Sequence, residues 1–122
     1  MSKAARSVFV FGIYAEGLAL VLIFAPNRLL DLFGMATTHE VWIRVLGVLV
    51  LNIGVYYLLA ARFEFRPVIL ASIPVRFGLM LFFVAFVLLD YATPAILLFG
   101  GLDVLTAFWT VAAISADSRA RD

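Results

Sequence analysis

Apolar residues follow one another in four long runs, and polar residues are mostly confined to the short stretches between them. The runs cover residues of about 7–25, 41–61, 68–89 and 94–115. Each run matches the length of about 20 residues that a helix needs to cross a hydrocarbon core about 30 Å thick. The pattern predicts an all-α, polytopic four-helix membrane bundle, formed by residues 1–122 as a single domain. A mixed stretch at about residues 27–33 groups leucines beside Arg28 and Asp31, which predicts a short helix in the membrane interface.

Composition supports a membrane location and narrows the classes of function. Hydrophobic residues make up 66% of the chain and charged residues 14%, whereas charged residues are about a quarter of a typical soluble domain. Membrane lipids are therefore the expected surroundings. A net charge of +1 without a dense basic tract argues against nucleic-acid binding. The chain has no cysteine and a single histidine, His39, so we expect neither a metal site nor a cofactor.

The basic residues near the ends of the runs indicate the orientation. Positively charged loops remain on the cytoplasmic side of membrane proteins. The loops and tails on one side of the predicted bundle have six basic residues, and the loops on the other side have Arg28 alone; the six are Lys3, Arg6, Arg62, Arg66, Arg119 and Arg121. We therefore expect both termini to be cytoplasmic.

Each run contains one strongly polar residue near its middle: Glu16, Asn52, Arg76 and Asp103. At a rise of 1.5 Å per residue, these positions lie about 12–16 Å inside the membrane. Charged side chains at that depth are costly unless they face the interior of a bundle and interact with one another. The sequence therefore predicts a buried midplane site in which Glu16, Asp103 and Arg76 would be the groups that act in catalysis.

Helical spacing extends this predicted site to further side chains. They share a helix face with one of the central polar residues and would bind a ligand: Tyr56, Ser72, Met80, Thr106 and Thr110. With Asn52, they complete the predicted ligand-binding set. Two acids and one guanidinium sum to minus one, so either Glu16 or Asp103 is expected to hold a proton. Gly47 and Gly54 mark another face of the second run, which would pack on a neighbouring helix or on a second subunit of a homodimer.

Several segments resemble the DoxX-like group of small four-helix bacterial membrane proteins. The segments are PNRLLDLFG, RVLGVLVLNIGVYYLLAAR, VRFGLM and LFGGLDVLTAFWT. Members of that wider group have been linked to quinone-coupled oxidation and to oxidation or cyclisation of lipophilic small molecules. The resemblance implies a bacterial plasma-membrane location and a pocket for such a molecule, and it carries over no established functional residue.

Three functions remain open at this point. The midplane site would bind, and act on, a lipophilic small molecule, with a carboxylic acid donating a proton and Arg76 orienting the ligand. Alternatively, the chain is a proton-coupled transporter, because YAEGLAL resembles the first helix of small multidrug resistance transporters, in which Glu16 would be the proton and drug site. The third alternative is a structural or accessory subunit whose Glu16, Arg76 and Asp103 form a buried ion-pair network.

Overall fold

A computed structural model describes residues 1–121. Every regular element in this part of the chain is helical. The helices are α1 (Lys3–Phe24), α2 (Pro26–Leu32), α3 (Trp42–Arg62), α4 (Arg66–Leu88) and α5 (Leu97–Arg121), and a 3₁₀ turn (Pro94–Ile96) leads into α5. Helix α1 begins one turn before the predicted start because the Ser2 hydroxyl accepts a hydrogen bond from the Ala5 amide at 3.1 Å and caps the helix.

Four helices are long and apolar enough to cross a membrane: α1, α3, α4 and the helix that includes the 3₁₀ turn and α5. Their outward surfaces carry large apolar side chains, among them Leu81 with 73% and Leu105 with 67% of its surface exposed. Contiguous apolar surface of this kind is unfavourable in water and is suited to lipid. The predicted all-α fold with four candidate membrane spans is confirmed.

Helix α1 is the shared partner of the bundle. It packs most extensively against α3 on one side and against α5 on the other, and α4 packs mainly on α5. Helices α3 and α4 barely touch, although only a short loop joins them. The side of the bundle between α3 and α4 is therefore the one least closed by helix packing.

The seam between α1 and α3 depends on glycine. A Cβ atom added at Gly47 would lie only 2.9 Å from the Leu22 Cβ and 3.1 Å from the Ala19 carbonyl oxygen, so a side chain at this position has no room. A Cβ at Gly54 would collide with the carboxyl group of Glu16. The glycines let the two helix backbones approach closely, as small residues do in membrane helix pairs.

Both termini meet the α3–α4 loop at one end of the bundle, which we call the terminal end. The backbone amides of Lys3 and Ala4 donate to the two carboxylate oxygens of Asp117 at 3.1 and 3.0 Å. The Ser2 amide donates to Glu64 Oε1 at 2.8 Å. These amides belong to the first turn of α1, where no helical acceptor exists, so two carboxylates from distant segments satisfy them.

We expect Gly47→Val to lower the free energy of unfolding by about 1–3 kcal/mol, because the new side chain must push α1 and α3 apart. The measurement is reversible unfolding of the reconstituted protein in bicelles. Gly101→Val is the matched control, since nothing lies within 4 Å of a Cβ at Gly101 in α5. Equal losses in the two variants would contradict a tight α1–α3 seam.

The contact between Glu64 and Ser2 should weaken in acid. The hydrogen bonds from Ser2 lower the pKa of Glu64 below its ordinary value of 4.5. Because the pKa of Glu64 is lower in the folded state than in the unfolded state, its carboxylate stabilises the fold fully at a pH above the unfolded-state pKa. That stabilisation is lost as the pH falls through the folded-state pKa. The amide proton resonance of Ser2 should therefore titrate with a midpoint below 4.5, and this titration should vanish in Glu64→Gln. A midpoint at or above the ordinary value would contradict the contact.

Candidate functional site

Arg76 lies in the interior of the bundle, with 1% of its surface exposed. Its Nε donates to the Ser72 carbonyl at 3.1 Å, and its Nη2 donates to the Ser72 and Thr110 hydroxyls, both at 2.9 Å. Its Nη1 is buried without a hydrogen-bond partner. The guanidinium thus joins α4 to α5 through hydroxyl groups and retains one unused donor group.

A serine of α1 completes this hydroxyl network. Ser7 Oγ lies 2.7 Å from Thr110 Oγ1 and donates to the Ala4 carbonyl of its own helix, also at 2.7 Å. Ser7 and Thr110 are both fully buried. Since Thr110 also accepts from Arg76, three helices are connected through one threonine hydroxyl.

An aromatic ring lies over the guanidinium of Arg76, and two tyrosine rings pack against that ring. The Cζ atom of Arg76 lies 4.9 Å from the centroid of the Phe11 ring, within the range of a cation–π contact. The Phe11 ring has its centroid 5.4 Å from that of Tyr57 in an edge-on arrangement and 5.8 Å from that of Tyr14. The hydroxyl of Tyr14 is buried and has no hydrogen-bond partner.

Asp103 shares this interior and is 7% exposed. Its carboxyl group lies within electrostatic reach of Arg76, Tyr14 and Tyr57. None of the hydrogen bonds of Arg76 goes to Asp103. Helices α4 and α5 are antiparallel, and a helical side chain points toward the N-terminus of its own helix. The side chains of Arg76 and Asp103 therefore point toward opposite ends of the bundle. We call Phe11, Tyr14, Tyr57, Arg76 and Asp103 the interior site.

Glu16 lies outside the interior site. Its carboxyl group packs on Gly54 of α3, and its Oε1 atom is buried without a hydrogen-bond partner. Glu16 follows Phe11 by five positions, which places it about 140° around α1 from the face that meets Arg76. The prediction that Glu16 shares one buried network with Arg76 and Asp103 is therefore wrong. The formal charges of Arg76 and Asp103 sum to zero in the interior site, and the predicted surplus of one negative charge belongs to Glu16 alone.

Asn52 and Tyr56 also lie outside the interior. Both are exposed on α3, and 69% of the Tyr56 surface is accessible. Helix α3 turns its glycine face, with Gly54, toward α1, and Asn52 lies about 160° around the helix from Gly54. The tyrosine that reaches the interior is the next residue, Tyr57. The predicted inward placement of Asn52 and Tyr56 is wrong for this reason.

The other predicted ligand-binding residues are divided. Ser72 and Thr110 contact Arg76 directly. The Thr106 hydroxyl donates to carbonyls of its own helix, those of Leu102 at 2.8 Å and Asp103 at 3.0 Å. Met80 is partly buried and places its sulfur over Gly100, where it forms part of the contact between α4 and α5.

Sequence reasoning missed Ser7, Phe11, Tyr14 and Tyr57. A signal for three of them was present, because Ser7, Phe11 and Tyr14 follow one another at helical spacing along one face of α1. Tyr57 had no comparable signal, since the adjacent pair Tyr56 and Tyr57 does not say which ring turns inward. In the part of the chain that the structure describes, no group of three or more His, Cys, Asp or Glu residues could hold a metal ion.

No family model, curated protein or solved structure matches the chain.

Thr110→Val should lower the free energy of unfolding by about 1–3 kcal/mol, because it removes the α5 acceptor of the buried Arg76 Nη2 and the hydroxyl that contacts Ser7. The measurement is unfolding in bicelles, with Thr106→Val as the matched control. Both substitutions remove a threonine hydroxyl from α5, but the Thr106 hydroxyl bonds only its own helix. A loss for Thr106→Val as large as that for Thr110→Val would contradict the bridging role of Thr110.

Proposed function

We propose that this chain is an integral membrane protein that binds a lipophilic small molecule in the interior site. The observation that carries the proposal is a pair of buried donors without acceptors, Arg76 Nη1 and the Tyr14 hydroxyl. Buried polar groups without partners are costly and are normally satisfied by protein, ordered water or a ligand. A ligand carbonyl or carboxylate oxygen is the complementary group.

The surroundings of the two donors favour a ligand that is otherwise apolar. The ring of Phe11 lies over the guanidinium and the ring of Tyr57 packs edge-on against Phe11, and rings of this kind stack on planar or aliphatic groups. The weak contact between α3 and α4 supports access from the bilayer on that side of the bundle. The ligand would then place its acceptor group on Arg76 and its apolar part toward the lipid.

Asp103 is the carboxyl group that we assign to any proton exchange with the bound molecule. It lies in the same interior as Arg76 and Tyr14, whereas Glu16 lies on another face of α1. In this proposal Arg76 and Tyr14 orient the acceptor oxygen, and Asp103 donates a proton to the ligand or accepts one from it. The chain would be a DoxX-like protein of the bacterial plasma membrane, with its terminal end in the cytoplasm.

Native mass spectrometry of the protein with its co-purified molecules tests this proposal. We expect a retained lipophilic molecule in the wild-type protein and about tenfold lower retention in Tyr14→Phe, which removes a single hydrogen-bonding group and keeps the ring. Tyr56→Phe is the matched control because its hydroxyl lies on the exposed face of α3. A wild-type protein without a bound molecule, or equal retention in both variants, would contradict binding in the interior site.

Proton-coupled transport is the second candidate, and the unpartnered Oε1 of Glu16 favours it. Buried polar atoms without partners are normally satisfied by water or by a group that the site binds. In proteoliposomes, Glu16→Gln would then abolish substrate-driven proton flux, while Asp31→Gln, a change at an exposed position of α2, would not. Ligand retention that is unchanged in Glu16→Gln, together with no proton flux in the wild-type protein, would leave binding in the interior site as the function.

A further inference from the structure

The outward face of α3 carries an amide at the depth where water is scarcest. Asn52 lies midway between Trp42 and Arg62, the ends of the helix, so it is about 15 Å from each. If the helix crosses a hydrocarbon core of about 30 Å, this position is the midplane. Asn52 is exposed on the surface of the bundle and faces away from α1.

Lipid cannot satisfy such an amide. Hydrocarbon has no hydrogen-bonding groups, and asparagine side chains in membrane helices accordingly bond to neighbouring helices. Within residues 1–121 no other helix covers this face of α3, because α1 lies on the glycine face and α4 barely touches α3. A partner from outside the chain is required to satisfy the amide of Asn52.

The residues around Asn52 have the spacing of a helix-pairing seam. We call the seam the α3 stripe; it advances by four, three, four and three residues through Val45, Leu49, Asn52, Tyr56 and Leu59. Its four other members are all exposed, with fractions between 46% and 69%. A strict repeat of 3.5 residues is the signature of two helices that wind around each other with a left-handed twist.

We propose that the α3 stripe is the interface of a homodimer, with Asn52 pairing with Asn52 of the second copy. Two copies inserted in the same orientation are related by a two-fold axis along the membrane normal, so their α3 helices run parallel and equal positions meet. An amide is self-complementary across such an axis, because each group offers a donor and an acceptor. A single asparagine in an apolar seam is also the device that selects register and two-stranded pairing in coiled coils.

A second copy fits this stripe better than an unrelated protein or lipid does. The stripe has no charged residue that would need a complementary partner, and its one polar group is matched by itself. Helix α3 is also accessible, because α1 is the one long helix that covers it extensively. The interior site lies inside the bundle, whereas the α3 stripe lies on its outer surface, so dimerisation does not depend on the proposed ligand.

Disulfide trapping tests the dimer directly, because the chain has no cysteine of its own. Leu49→Cys, which leaves Asn52 in place, should give a cross-linked dimer in native membranes on mild oxidation. Leu105→Cys on α5 is the matched control, since its side chain is also exposed on the apolar surface, and it should remain monomeric. Tyr56→Cys should also cross-link more than Leu46→Cys, which lies beside the stripe. Equal cross-linking of Leu49→Cys and Leu105→Cys, or cross-linking through Leu105→Cys alone, would overturn the proposal.

A substitution that removes the amide provides a second measurement. Asn52→Leu should weaken dimerisation about tenfold in single-molecule photobleaching of vesicles at low protein density, while Asn52→Gln retains part of it. The substituted position is on the surface, and unfolding in bicelles verifies that the monomer fold is unchanged. An unchanged dimer fraction in Asn52→Leu, or a wild-type protein that stays monomeric, would overturn the proposal.

Discussion

The guanidinium of Arg76 imposes the main constraint on this bundle, because a buried cation must be solvated by the protein itself. Hydroxyl groups supply that solvation: Ser72 on its own helix and Thr110 on α5, with Ser7 of α1 bonded to Thr110 in turn. The ring of Phe11 covers the open face of the guanidinium. Three helices are held in one register by this network, and the alternative of direct pairing with Asp103 is not used. This arrangement leaves one donor group of Arg76, Nη1, without an acceptor.

The central position of α1 follows from its two different faces. One face combines Ser7, Phe11 and Tyr14 and meets α5 and the guanidinium, while the other carries Gly12 and Glu16 and meets the glycines of α3. Where α1 approaches α3, the Glu16 carboxyl group occupies the space that a side chain larger than that of Gly54 would need. Two polar sites therefore exist on opposite sides of one helix. This separation places Asp103 in the interior with Arg76 and leaves Glu16 in the contact between α1 and α3.

Much of the fold and part of the site could be predicted from the sequence. Runs of about 20 apolar residues have few alternatives to membrane helices, so the four long helices and the short α2 appear near their predicted positions. Ser72 shares a helix face with Arg76 and Thr110 shares one with Asp103, and both hydroxyls contact Arg76 in the structure. The errors concern helix rotation. Tyr56 and Tyr57 are equally aromatic neighbours, and the rotation of α3 that buries Gly54 against α1 turns Tyr57 inward and Tyr56 outward.

The sequence by itself determined the number of helices, their lengths and the position of each polar residue along its helix, because these follow from hydropathy and a fixed rise per residue. The position along a helix does not determine the direction in which a side chain points. The pairing of the helices decides which residues point into the bundle. That pairing depends on glycine contacts and on hydrogen bonds of hydroxyl groups between segments far apart in the chain. The tertiary structure therefore placed Glu16 in the α1–α3 seam, Asn52 on the outer surface, and Arg76 with Asp103 in the interior.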